Sequence, residues 1–433
     1  MSALNPEFRR NLWLELSTQR LIAMPAILFL VFLLGWTFDK AAGMAGAAMI
    51  VGWLLLVFWG TRLACDAMVS EVQARTWDGQ RLSGIGPFAM TLGKLFGGTS
   101  YAWYGGLMCL AAVLLGGGLA GDPWAPVRLV ETGLFAQAVA LWFGLVQLRL
   151  QAGVRRFQIT FAQILAILVS AQFAPALTRF DVSVTWYGMS FPAADFALFA
   201  TGLFTVWAWV GCWRLMRAEL QYRCRPIAWV TFLCFLFVFV GGFTGGVLQA
   251  IAIREFEGGL IANTLGFHVL LGANWLAALL EPKSIVRLRR LGERAKRGEI
   301  GRALEDLPMS VAGLPVVLLL GIAAVASLGG DGAAAGQLGS EFLFLLRDGL
   351  LIYYVVLGPS ARRGHVAAML YLVVLYGLVP ALLEGAGGGE VIAAFLPLGG
   401  ISPVIGIVGP LVQVAGFAVL LATRFTTPRR DRP

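Results

Sequence analysis

Apolar residues fall in long blocks along this chain, and polar residues gather between them. Blocks of roughly 17–25 residues are long enough for a helix to cross a bilayer, where only internally paired backbone is tolerated. Twelve such blocks predict twelve helices: 21–38, 42–61, 92–119, 127–148, 158–175, 193–213, 227–252, 260–280, 309–328, 342–358, 365–383 and 402–423. Two carry internal charge, Arg128 with Glu131 and Arg347 with Asp348. The second pair is expected near the outer interface or as a local pair. The stretch 390–401 is apolar but too short to span, and reads as a candidate re-entrant piece. Ahead of the first block, Asn5-Pro6 marks a helix start. Phe8, Leu12, Trp13 and Leu16 then line one face, predicting an interfacial amphipathic helix. The first 20 residues lack the pattern of a cleaved signal peptide.

Composition agrees with this pattern. Of the 433 residues 58% are apolar and only 13% charged, which excludes a soluble enzyme, a disordered chain and a nucleic-acid binder. Charge then sets orientation. With the N-terminus in the cytoplasm, 28 of the 33 Lys and Arg fall in cytoplasmic segments. The other five are Lys40, Arg128, Arg179, Arg254 and Arg347. Such a bias predicts both termini inside. The five cysteines form no paired spacing, and His268 and His365 give no metal signature.

The halves echo each other at a spacing near 205. Arg20-x-Ile22-Ala23 recurs as Arg225-x-Ile227-Ala228, Pro175-Ala176-Leu177 as Pro380-Ala381-Leu382, and Pro192 as Pro397. Arg155-Arg156 recurs as Arg362-Arg363. The fold class expected is an all-α integral membrane protein of about twelve helices in two parallel six-helix repeats. The repeats would cover 1–213 and 214–433, related by an axis along the membrane normal. Gly241-Gly242 and Gly245-Gly246 offer small-residue packing in the seventh span.

The loop after the second span carries more pattern than a connector needs. It contains Glu71, Arg75-Thr76-Trp77-Asp78, Gln80-Arg81-Leu82, Pro87 and Gly93-Lys94. This stretch of some 25 residues resembles the cytosolic elbow of type-2 ABC-transporter permeases, whose pattern is acid–Arg–acid–x–Gly–Thr–Leu–Glu with a closing Gly-Lys. Glu71 falls on the first acid, Thr76 on the threonine, Asp78 on the later acid and Gly93-Lys94 on the closing pair. Val72, Gln73 and Arg75 depart from the pattern, Arg75 replacing its glycine. The resemblance implies a permease subunit, here two fused, exporting an unidentified substrate. It would use ATP hydrolysed by two separate ATP-binding cassette ATPase subunits, in a bacterial inner membrane. It implies no cofactor bound by this chain and no nucleic-acid partner.

Elementary physics points the same way. The chain has no phosphate-binding loop, since Gly93-Lys94 lacks the preceding glycine and is followed by Leu95. The sequence gives no acid–histidine relay deep in the spans. Energy for transport would then arrive through a cytoplasmic contact. A short helix presenting Arg75 and Trp77 between Glu71 and Asp78 suits that, because Trp and Arg dominate interface hot spots. An ordinary solvated loop is the alternative. The second half's counterpart, Glu281 to Ser310, reads as one charged helix from Arg287 to Arg302, with Glu293, Arg294 and Glu299 on it. Asn263, His268 and Asn274 in the eighth span are candidates for a translocation path or for interhelical hydrogen bonds. The competing function is a secondary transporter of six-plus-six major-facilitator type, although its usual motif after the second span is missing.

Overall fold

The computed structural model of the protein describes residues 5–117, 122–150, 156–171, 183–243, 258–327, 332–358, 364–397 and 403–426. It is an all-α architecture apart from one small hairpin, Ser183–Trp186 with Met189–Pro192. Seven helices among the described residues are long and apolar enough to cross a membrane. The number is eight if Pro87–Gly97 and Ser100–Leu115, bent by 55°, count as one broken span. The expected segments 172–175 and 244–252, the glycines Gly245 and Gly246, and the repeat marks Pro175–Leu177 and Arg362-Arg363 lie outside the described residues.

The first unit comprises residues 1–184 and 191–224. It begins with α1, Pro6–Glu15, and α2, Thr18–Trp53. Helical hydrogen bonding runs on through Leu54–Trp59 into α3, Gly60–Gln73, a continuous stretch of 56 residues. That stretch is not straight. Asp39 and Lys40 leave helical geometry, with Lys40 at φ 42°. A Cβ on Gly35 would lie 2.7 Å from the Gly43 carbonyl oxygen and 2.9 Å from Ala47 Cβ. In a straight helix residues 35 and 47 would stand about 18 Å apart. The chain therefore folds back at 39–40, and the glycines let the two arms touch. This gives the separate predicted helices 21–38 and 42–61.

After α3 come the short helices α4, Trp77–Arg81, and α5, Pro87–Leu92, then α6, Ser100–Leu115. α7, Ala125–Arg149, α8, Arg156–Ala171, and α9, Ala193–Glu219, complete the unit. α7 is its central post, with most of its length buried. Its Gln137 donates to the Leu56 carbonyl (2.9 Å) and accepts from the Trp103 indole (2.9 Å), so this buried amide is satisfied on both ends. The core around it runs from Met68 and Trp77 through Leu141 and Leu145 to Cys212 and Met216.

The second unit comprises residues 185–190 and 225–433. Its helices are α10, Ile227–Gly241, α11, Gly258–Leu280, α12, Ile285–Lys296, α13, Ile300–Asp306, and α14, Met309–Ser327. α15, Gly332–Val356, α16, Gly364–Val373, α17, Val379–Gly385, and α18, Pro403–Thr426, follow. α15 carries Glu341, Arg347 and Asp348, all buried. Its charge, not its length, keeps it off the seven. Within 390–401, Val391–Ala394 forms a single tight turn packed on α18, and the Gln413 amide donates to the Ala394 carbonyl (2.8 Å).

Candidate functional site

The first elbow is built where α3 ends. Thr76 N–H donates to the Glu71 carbonyl (2.9 Å) and Arg75 N–H to the Val72 carbonyl (3.1 Å). This pair of bonds is a Schellman motif, which needs a left-handed residue at its hinge and favours glycine there. Arg75 occupies the hinge with φ 58°. A non-glycine residue in that region costs about 1–2 kcal/mol. Arg75→Gly is therefore expected to raise stability by about 1 kcal/mol, read as a later thermal unfolding transition in detergent. An unchanged or earlier transition would show that the Arg75 side chain matters more than the turn.

The turn sets Trp77 at the head of α4 and sends its ring inward. Trp77 is only 4% exposed and packs in the same core as Met68, Met90 and Leu145. This corrects the expectation that the indole is presented to a partner, since the chain has already buried it. What the elbow exposes instead is Arg75, Thr76, Asp78 and Leu82, the leucine at 89%.

The base of the elbow is a buried charge cluster. Lys94, near the start of the third predicted span, is fully enclosed. Its ammonium meets the Glu7 carboxylate at 2.8 Å, the Gln80 side-chain amide oxygen at 2.9 Å and the Glu71 carboxylate. Arg10 reaches the same Glu7 (2.9 Å) and Glu71. Asn11 donates to Glu7 (2.9 Å) and to the Gly93 carbonyl (3.2 Å). Two acids and two bases thus balance, and each ion is hydrogen-bonded, the condition for burying charge without a large penalty. Burial raises the Glu7 carboxyl, but Lys94 first, then Arg10 and Asn11, outweigh it and hold it below the ordinary carboxylate range. Because the folded value is depressed, the stabilisation is present above the unfolded value and disappears as pH falls through the folded one.

Glu7 and Asn11 explain how α1 docks. Asn5 caps it by accepting from Glu7 N–H (3.0 Å), and Pro6 sits in its first turn as expected. The apolar stripe holds for Phe8, Leu12 and Leu16, which with Leu92, Phe96 and Trp103 line a groove of about 550 Å³. Trp13 departs from it and is 84% exposed. The buried face is polar because it is pinned to Lys94. Glycines at the contact keep this close: a Cβ on Gly93 would stand 2.6 Å from the Glu7 side chain. At the far end of α4, Arg81 joins Glu219 (2.7 Å) and Asp78 (3.6 Å), tying the elbow to α9.

The second loop differs from its predicted single helix. α12 ends at Lys296 and α13 starts at Ile300. Between them Gly298 takes φ 75°, with Glu299 N–H donating to the Arg294 carbonyl (3.0 Å). The glycine stops the helix by the same motif that Arg75 serves in the first elbow. Arg287 caps the C-terminal carbonyls of α13 at Glu305, Asp306 and Leu307 (3.0–3.3 Å), a cation at the negative end of a helix. Arg294 adds Asp306 (2.7 Å), and Arg302 pairs with Glu299 (3.2 Å). Glu293 is exposed. At the base, Glu281 is buried and accepts from Ser310 N–H (3.2 Å), the Ser310 hydroxyl and the Tyr353 hydroxyl (2.5 Å). Burial pulls the neighbouring Lys283 ammonium down to about 8, with Glu281 opposing.

The candidate path residues separate. Asn274 donates to the Ser310 carbonyl (3.0 Å) and accepts from the Trp229 indole (3.4 Å), so it joins helices. Asn263 is half-buried. His268 is half-exposed and its Nε2 lies 2.9 Å from a Glu341 carboxylate oxygen. The sequence gives no acid–histidine relay deep in the spans; the structure adds one acid–histidine pair, with Glu341 just before the predicted span 342–358. The two residues are 73 apart in sequence, so only tertiary packing reveals the pair. Arg347 and Asp348 form the local pair (2.7 Å), both essentially unexposed. Arg347 also donates to Gln413 (3.1 Å), and Asp348 accepts from the Trp275 indole (3.0 Å) and the Tyr376 hydroxyl (2.8 Å).

No protein-family model, curated protein or solved structure matches the chain.

Proposed function

We propose that the chain is the transmembrane subunit of an ABC transporter, driven by ATP hydrolysed on separate nucleotide-binding subunits. It is a fused form, with twelve spans in two six-helix repeats and both termini in the cytoplasm of a bacterial inner membrane. The direction is export and the substrate is unidentified. The observation that carries this reading is the elbow. Its hinge takes the glycine-type conformation at Arg75, the position where the resembled family has glycine. Its first acid and its closing lysine, Glu71 and Lys94, lock together at the base. A connector that only sets topology has no use for a four-ion clamp closed around a buried lysine.

The halves correspond in further respects. Glu71 and Glu281 each close a loop onto the start of the next helix, and the positions differ by 210. Glu131 and Glu341 also differ by 210 and each lies six residues before a buried polar hub, Gln137 or Arg347. A duplication accounts for both. A six-plus-six secondary transporter remains the alternative, and the pairing of His268 with Glu341 is the observation in its favour.

In the transporter reading the exposed tip meets the ATPase, with Leu82 as apolar anchor flanked by Arg75 and Asp78. Leu82→Asp is expected to weaken binding by about 2 kcal/mol or more, roughly 30-fold, without lowering the amount of folded chain in the membrane. The check is recovery of ATPase on the immobilised permease, normalised to permease. Full recovery with Leu82→Asp and Arg75→Glu together would remove the tip from the interface.

A further inference from the structure

The helices Gly258–Leu280 and Gly332–Val356 are joined by three polar rungs. His268 meets Glu341 (2.9 Å), Trp275 meets Asp348 (3.0 Å) and Glu281 meets Tyr353 (2.5 Å). The partners ascend together along both chains, so the helices run parallel and the seam continues from their interior to the base of the second elbow. Seven residues separate the first two rungs on each helix, two turns, about 10 Å.

The first rung differs from the others in what it requires. His268 Nδ1 lies 2.6 Å from the Thr264 carbonyl oxygen, which can only accept, so Nδ1 carries a hydrogen. Nε2 then faces a Glu341 oxygen at 2.9 Å. With no hydrogen between them, a nitrogen lone pair would oppose a carboxylate lone pair. The contact therefore needs one more proton. Glu341 is 8% exposed, and among the described residues that oxygen has no hydrogen-bonding donor. Its other oxygen accepts from the Gln337 amide (3.1 Å). The His268 side chain is about half exposed.

We propose that His268 and Glu341 form a proton-binding site inside the membrane-spanning part of the second unit, holding a single exchangeable proton on His268 Nε2. Uptake converts neutral histidine and carboxylate into an imidazolium–carboxylate pair. Release returns one proton and sets the two lone pairs against each other, loosening the top rung of the seam. Among the described residues of the second unit, few ionisable groups lie on the helices around this pair. The other charged residues on its own helices are Arg347 and Asp348, which neutralise each other two turns away. Of the helices packed on these two, Met309–Ser327 carries no ionisable side chain and Ile227–Gly241 only the thiol of Cys234. Gly364–Val373 carries His365, at its start, and Tyr371, and Pro403–Thr426 only Arg424, near its end over Tyr354. The site needs no ATPase, so it stands apart from the function proposed above.

The chain has two histidines, which makes the test direct. The full-length protein is labelled with 15N-histidine, purified through a tag without histidine, and placed in lipid nanodiscs at pH 7. His365→Gln identifies the His268 signals. The expected wild-type spectrum has both His268 nitrogens bearing hydrogen. In Glu341→Gln, Nε2 is expected to move to the bare-nitrogen range while Nδ1 keeps its hydrogen. Glutamine can still donate its amide to a bare Nε2, so the contact survives without the proton. A bare Nε2 in the wild-type protein, or an Nε2 signal indifferent to Glu341→Gln, overturns the proposal. The wild-type spectrum decides by itself if the variant does not fold.

Discussion

Lys94→Met is expected to destabilise the first unit by about 3–5 kcal/mol, the usual cost of removing one partner from a buried ion pair. Lys94 is fully enclosed between Glu7 and Glu71, and its loss leaves two carboxylates facing one another with only Arg10, partly exposed, to answer them. Methionine fills most of the volume, so the effect reads charge and not a cavity. The measurement is chemical or thermal unfolding in detergent, beside recovery of monodisperse protein. Because the carboxylates cause the penalty, Glu7→Gln and Glu71→Gln added to Lys94→Met should restore much of the loss, as expected for residues in one network. A loss below about 1 kcal/mol, or no rescue, would mean that the cluster is solvated and does not clamp the elbow.

Trp77→Ala is the second large effect, at about 3–5 kcal/mol of folding stability, the range for emptying a buried aromatic site. The ring sits among Met68, Met90 and Leu145, with Arg81 and Lys94 each within 6 Å of its centre. The variant should therefore lose folded chain and ATPase recovery in proportion. Leu82→Asp should lose ATPase recovery alone. If Trp77→Ala left the amount of folded permease unchanged while abolishing ATPase recovery, the indole would belong to the interface, as the sequence suggested, and its inward position would be wrong.

That reversal shows where sequence reading stops. The apolar blocks made the helices legible, and Lys40 and Arg75 lie at breaks that polarity already marked. Which way a five-residue helix turns its tryptophan depends on what α3, α5 and α7 place beside it, and no local period encodes that. Gly298 was a legible stop for the second loop, since glycine past a charged last turn is the common helix end. The polar face of α1 was hidden for a different reason. Glu7 and Asn11 look like solvent residues until Lys94 is known to be underneath. The His268–Glu341 pair had one signal in the sequence: a matched spacing of seven, His268 to Trp275 and Glu341 to Asp348. Its meaning required knowing that those two helices are neighbours.

The central proposal is that this chain is a fused transmembrane subunit driven by separate ATPase subunits. The most direct test co-expresses it with candidate nucleotide-binding ATPase subunits from the same organism, purifies the complex through the permease and weighs it intact. The account predicts one permease to two ATPase subunits, ATP hydrolysis by the complex, and none by the permease alone. Two permease chains per complex would contradict the fused form. A permease recovered without any ATPase, yet transporting down a proton gradient, would contradict the transporter class itself.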